Sequence, residues 1–151
     1  MSMKYRDPEN GCSVIVFDVD GVLMDESGST PRSKGLELLA EAVAGYRVYI
    51  VTGRSEAERR VIVELLRSSG IRVGDVAGIL MRPRGDKSSE VALKVRLLNR
   101  VIDVEGCILE LHDNNPRVLD AARKLVRGAL VLHYNDGCET LKGKSVLGKC
   151  T

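Results

Sequence analysis

Five short apolar runs constrain this chain more than any other feature: 13–17 (SVIVF), 47–52 (RVYIVT), 76–81 (VAGILM), 107–111 (CILEL) and 129–134 (ALVLHY). Several are rich in β-branched residues, and unbroken apolarity over such lengths marks strands buried on both faces of a parallel sheet. Between them lie residues at helical spacing: Leu36, Leu39, Ala40 and Val43; Ala57, Val61 and Leu65; Val91, Val95 and Leu98; Val118, Ala122 and Leu125. Ser55, Ser88 and Asn115 stand where helix N-caps belong, Pro116 suits a first helical position, and Gly70 and Gly128 fall just past helix ends. The βαβαβαβαβ alternation predicts an α/β fold, a three-layer Rossmann-like sandwich on a five-stranded parallel sheet. With 151 residues and no repeat or linker, the chain reads as one domain spanning 1–151.

Composition closes off other classes. Apolar residues make up 44% and charged residues 29%, a globular balance. No apolar run approaches the roughly 18 residues of a membrane span, and MSMKYRDPENG lacks the apolar core of a secretion signal. The expected location is the cytoplasm, with no membrane partner, and nothing in the sequence predicts an oligomer. A net charge of +2 is too small to argue by itself for nucleic acid. Cys12, Cys107, Cys138 and Cys150 lack zinc-ligand spacing and read as small buried hydrophobes or inert thiols.

In doubly wound sheets ligands bind beyond the carboxyl ends of the strands, and those ends carry chemistry here. Asp18 and Asp20 follow the first run; Thr52, Gly53 and Arg54 follow the second. The third leads into MRPRGDK (81–87) and a helix carrying Lys94; His112, Asp113 and Asn114 follow the fourth. Carboxylates at the end of a buried strand are costly unless paired or metal-bound. Together these groups suit phosphoryl transfer. Mg²⁺ takes oxygen ligands and would offset repulsion among Asp18, Asp20 and Asp113. One carboxylate can attack phosphorus, a second can move protons, and a hydroxyl with lysine and arginine can balance the phosphoryl charge. A structural Ca²⁺ loop is the bland alternative for DVDG, but it needs glycine at its sixth position, and Gly21 is fourth.

VIVFDVDGVL, VYIVTGR and ILELHDNN resemble motifs I, II and IV of the haloacid dehalogenase (HAD) superfamily, and the four motifs fall in order over about residues 13 to 134. The resemblance implies that Asp18 is the nucleophile and Asp20 the general acid/base. It implies that Thr52 binds phosphate, with Gly53 beside it, and that Asp113 binds Mg²⁺ with Asp18 and the backbone carbonyl of Asp20. LMRPRGDKSSEVALKVRLL resembles the polynucleotide 3′-phosphatase-like branch. That pattern places the charge-balancing lysine at Lys94, with Lys87 as competitor, and makes Arg54 a phosphate ligand and Arg32 a further candidate. Arg82 and Arg84 are read either as solubilising charge or as a track for a polyanionic substrate. The branch pairs two aspartates in motif IV where this chain has Asp113–Asn114; Asn114 can still offer a carbonyl oxygen to Mg²⁺.

Only 34 residues separate Asp18 from Thr52 and 35 separate Thr52 from Lys87, spans already used by core elements, so no cap domain is expected. The reading is a Mg²⁺-dependent phosphomonoester hydrolase working through an aspartyl-phosphate, on a phosphorylated substrate that includes nucleic-acid 3′-phosphate ends. Its alternatives are a capless sugar-phosphate or nucleotide phosphatase and a non-catalytic HAD-like binding module. The expected strand order, resembling 5-4-1-2-3, makes strands one and four neighbours with Cys12 and Cys107 at their starts. The chain contains no glutamine, which fits a thermophilic source, where intracellular disulfides occur; in such a source Cys12 and Cys107 are close enough to bridge, and in any other they stay buried thiols.

Overall fold

The structure is a computed structural model that describes residues 11–125 and the backbone of residues 130–133. Gly128, Cys138, Cys150, the N-terminal segment 1–10 and the tail from Tyr134 lie outside the described residues. The elements run β1 (Val14–Phe17), α1 (Ser33–Gly45), β2 (Arg47–Ser55), a 3₁₀ turn (Glu56–Glu58), α2 (Arg59–Ser68), β3 (Gly78–Arg82), α3 (Glu90–Glu105), β4 (Glu110–Asp113), α4 (Pro116–Leu125) and β5 (Leu130–His133). All pairings are parallel, in the order β3-β2-β1-β4-β5. β1 is therefore central, with Ile15 opposite Val48 on one side and Glu110 on the other.

Every residue of β1 is buried, as an apolar strand covered by helices on both faces must be. Its side chains join Leu39, Ile50, Ile62, Leu66, Leu98 and Val101 in one core. Burying each large aliphatic side chain contributes about 1.5–3 kcal/mol, so truncating Ile50 to alanine would cost about 2–5 kcal/mol. From β1 the chain winds out to β2 and β3, then returns past β1 to β4 and β5. That reversal opens a crevice at the carboxyl end of β1.

Several expected details shift. β2 extends to Ser55, so Thr52, Gly53 and Arg54 belong to the strand rather than follow it. β4 begins at Glu110, three residues later than the CILEL run, because Ile108 and Leu109 are buried before the pairing with β1 begins. The core stripes of three helices are rotated. In α1, Leu38 and Ala42 are buried with Leu39 while Ala40 is exposed. In α2, Ile62, Leu65 and Leu66 are buried and Val61 is exposed, because the tighter 3₁₀ turn through Ala57 resets the phase. In α3 the buried set is Leu93, Lys94, Leu97, Leu98 and Val101, with Val91 and Val95 at its margin. Ser89, not Ser88, caps α3 by accepting from the Ala92 N–H at 3.2 Å, since Ser88 is held in the preceding loop by Asp86. Ser55 and Asn115 do accept from the backbone N–H groups two residues on. Among the described residues no helix is long and apolar enough to cross a membrane.

Cys12 and Cys107 form a disulfide at the entries to β1 and β4, with Cα atoms 6.1 Å apart. It lies at the end of the sheet opposite the crevice.

Candidate active site

The DVDG stretch is a tight reversal off the end of β1. The Asp18 N–H still donates to the His112 carbonyl at 2.9 Å, which carries the β1–β4 ladder one residue further. The Val19 carbonyl then accepts from the N–H groups of Val22, Leu23 and Met24, and Gly21 takes φ +85°. Val19, Val22 and Leu23 are fully buried, so the turn is anchored from below. The loop beyond it is shaped by the Asp25 carboxylate, which accepts from Ser27 Oγ at 2.8 Å and from the N–H groups of Ser29 and Thr30. Those bonds, the Ser27 hydroxyl first, hold its carboxyl down at about 2.

Lys94 is the centre of the arrangement. It lies on the buried face of α3, its side chain 1% exposed, and its Nζ donates to Asp113 Oδ2 at 2.7 Å and lies 3.0 Å from Asp18 Oδ1. Glu90 stands 3.9 Å away on the preceding turn. Burial opposes the ammonium charge, but Asp18 and Asp113 outweigh it and raise its pKa, so Lys94 is charged. Burial likewise pushes Asp18 up, to about 7; Lys94 counters this and Asp113 adds to it. Two buried carboxylates thus share one cation. A donor set of hard oxygens left one positive charge short fits a hard divalent cation such as Mg²⁺. Among the described residues no three acidic, histidine or cysteine side chains converge to form a metal cluster, so further ligands would be backbone, water or substrate oxygens.

Asp20 is gripped by Arg54 and is not among the ion-pair partners of Lys94. Nη2 of Arg54 donates to Asp20 Oδ1 at 2.8 Å, and Nε lies 3.2 Å from both carboxylate oxygens. The same guanidinium donates to the Gly28 carbonyl at 2.8 Å and pairs with Glu58 at 3.1 Å. Thr52 is fully buried and its Oγ1 accepts from the Arg54 N–H at 3.1 Å. Above Asp18 opens a cleft of about 630 Å³, bordered by Asp20, Gly53, Arg54 and Arg82 together with Glu26, Glu58 and Glu90.

The structure therefore brings Asp18, Lys94 and Asp113 together, and sets Asp20, Gly53 and Arg54 at the cleft above them. It does not bring in the other candidates. Lys87 is exposed on the 82–88 loop and bonds neither Asp18 nor Asp113. Arg32 donates to the Gly21 carbonyl at 3.2 Å and does not border the cleft. Asn114 packs against Gly21, where a Cβ would meet its Nδ2 at 2.0 Å. His112 is buried, bonded to Glu110 at 2.9 Å and stacked on Phe17 with ring centroids 4.5 Å apart. On a strand it faces opposite to Asp113, so it offers nothing to the crevice. Sequence reasoning missed Glu90, Glu58 and Gly28. Glu90 could have been found as the residue one turn before Lys94 on the same helix face; the other two depend on where Arg54 reaches.

No protein-family profile matches this sequence, and no curated protein matches it. Solved structures do match. A chain of the Pnkp1/Rnl/Hen1 RNA repair complex superposes with TM-score 0.64 at 22% identity, over 87% of this chain and 46% of its own. A second structure of the Pnkp1/Rnl/Hen1 complex gives TM-score 0.66 at 22% identity, over 90% of this chain and 51% of its own. The chain thus spans about half the length of these two neighbours. The haloacid dehalogenase-like hydrolase SP0104 from Streptococcus pneumoniae matches at TM-score 0.52 and 15% identity, over 82% of this chain and 87% of its own. At these identities the likeness is one of architecture: the chain has a haloacid dehalogenase-like fold.

Proposed function

We propose that the protein hydrolyses phosphomonoesters through an aspartyl-phosphate, with Asp18 as nucleophile. The observation that carries this reading is the buried Lys94 ammonium joining Asp18 to Asp113 at the floor of an open cleft. Attack by an Asp18 carboxylate oxygen on phosphorus breaks the bond to the leaving oxygen, and Asp20 gives that oxygen its proton. In the second half Asp20 takes a proton from the water that attacks the acyl-phosphate, which returns Asp18 and releases inorganic phosphate. Lys94 favours the ionised form of Asp18 against the burial that opposes it, and balances the charge gathered around it. The Gly53 backbone and Arg54, both at the cleft, hold the non-bridging oxygens, and Thr52 beneath them fixes the Arg54 backbone through its Oγ1. Asp18, Asp113 and the Asp20 carbonyl would hold a Mg²⁺ ion, which would supply positive charge for the substrate phosphate.

For the substrate, a phosphate at a nucleic-acid 3′ end is the reading we favour. An open cleft suits the end of a long chain, the adjoining 82–88 loop is basic, and two of the structural neighbours belong to an RNA repair complex. The test is a panel of 3′-phosphorylated oligonucleotides, sugar phosphates, nucleotides and an aryl phosphate, each with and without Mg²⁺. Mg²⁺-dependent hydrolysis of the aryl phosphate that disappears in Asp18→Asn, and falls about 10²–10⁴-fold in Asp20→Asn, is expected. Equal inactivity of wild type and Asp18→Asn on every substrate would refute catalysis and leave a binding module.

A further inference from the structure

We propose that a nucleic-acid strand whose terminal phosphate sits in the cleft leaves it over the 83–88 turn, where Arg84 and Arg100 hold its phosphodiester oxygens. This rests on the nucleic-acid-end reading of the site. The charge around the cleft is one-sided. Glu26, Glu58 and Glu90, all exposed, border it from the loop after β1, from the turn after β2 and from the start of α3. A polyanion leaving over any of them would be repelled. The two bordering arginines serve the cleft and its walls rather than a departing strand. Arg54 serves Asp20, Gly28 and Glu58, while Arg82 donates to the carbonyls of Gly53 at 3.0 Å and Ser88 at 2.7 Å and to Asp86 at 3.2 Å.

Past Arg82 the sign of the surface reverses. Asp86 folds the loop inward: its N–H donates to the Pro83 carbonyl at 3.0 Å, and its carboxylate accepts from the Ser88 N–H and from Arg96 at 2.8 Å. Gly85 supplies the positive φ, +79°, that the turn requires. The loop's acid is therefore used internally, and Arg84 and Lys87 remain exposed. Arg100 is exposed one turn beyond Arg96 on α3. Arg59, at the start of α2, is taken up by two 2.8 Å bonds to Glu56 and one of 2.9 Å to the Ile79 carbonyl of β3. The Glu56 pKa is lowered chiefly by its hydrogen bond from Arg59, and the charges of Arg84 and Arg100 add to that effect. A guanidinium's planar fork of donors is matched to phosphate oxygens.

The experiment compares wild type with Arg84→Ala/Arg100→Ala, both surface changes, on a 3′-phosphorylated oligonucleotide, a nucleoside 3′-monophosphate and an aryl phosphate across a salt series. The expected result is a fall of about tenfold in kcat/KM on the oligonucleotide alone, with the slope of log(kcat/KM) against log[salt] shallower by about 1.4, two contacts' worth for a single strand. Unchanged oligonucleotide kinetics, or equal losses on all three substrates, would overturn the grip while leaving the substrate reading intact. A wild type that hydrolyses the aryl phosphate but no oligonucleotide would overturn the substrate reading, and the grip with it.

Discussion

Lys94 shows how one residue can be both a structural cost and the reason for a site. A lysine buried to 1% exposure is tolerable only because two carboxylates meet it, and they are tolerable only because it meets them. Lys94→Met keeps the volume and removes the charge, leaving Asp18 facing Asp113. A loss of about 3–5 kcal/mol in urea unfolding without divalent cation is expected, partly restored by adding Asp113→Asn. If the single variant is as stable as wild type, the two carboxylates do not depend on this ammonium. Gly28 makes a second case. It sits at φ +76°, and a Cβ there would lie 2.3 Å from Arg54 Nη2 and 2.8 Å from Asp20 Oδ1. Gly28→Ala should therefore cost about 1 kcal/mol and dislodge the Arg54–Asp20 pair, lowering kcat/KM on an aryl phosphate. Gly45→Ala, with nothing within 4 Å of the new Cβ, is the control and should be neutral or mildly stabilising. Lys94 is legible in the sequence only through its motif, since its own neighbours look like any surface helix. Gly28 is not legible, because its constraint is a guanidinium 26 residues away.

The elements carry these residues with less precision than the apolar runs suggest. Apolarity marks burial, whereas a strand is defined by its ladder, and the two part company where polar side chains are buried with partners. β4 contains Glu110, His112 and Asp113, all buried, so its sequence reads as a strand end when it is the strand itself. The 82–88 loop has the opposite character. MRPRGDK looks like an accumulation of solvated charge, yet Asp86 ties Arg82, Arg96 and Ser88 into one structure. Bonds from Ser88 and then Arg96 hold the Asp86 carboxyl well below the usual carboxylate range. A depressed carboxylate gives stability that is present above its unfolded pKa, about 3.9, and is lost as pH falls toward its folded value. Wild type should thus exceed Asp86→Asn in Tm at pH 7, and the gap should narrow as pH drops from about 4 toward 2. A gap that stays constant over that range would mean that the carboxylate charge does not hold the loop.

At the scale of the molecule, the alternation of runs establishes a parallel α/β sandwich but is compatible with many strand orders. The order enters through the motif resemblance, which needs Asp18, Thr52, Lys94 and Asp113 at one end of the sheet, and placing β1 between β2 and β4 accomplishes that. The same order brings the entries of β1 and β4 together, where Cys12 and Cys107 bond across a sequence separation of 95. Closing so long a loop restricts the unfolded chain by about 4–5 kcal/mol in the chain-entropy account, and measured losses on removing native bridges run about 2–5 kcal/mol. The bridge ties the amino ends of the two strands whose carboxyl ends present Asp18 and Asp113. The bridge and the candidate site are thereby placed at opposite ends of the same strand pair. Cys12→Ala/Cys107→Ala should lower unfolding free energy by about 2–5 kcal/mol. Well below its Tm, the variant should keep the wild-type kcat/KM on an aryl phosphate, because the β1–β4 ladder from Ile15 to Phe17 holds the register without the bridge. Urea unfolding and steady-state kinetics on the same preparation test this. A parallel fall in kcat at a temperature where the variant is fully folded would show instead that the bridge sets the spacing of the two carboxylates.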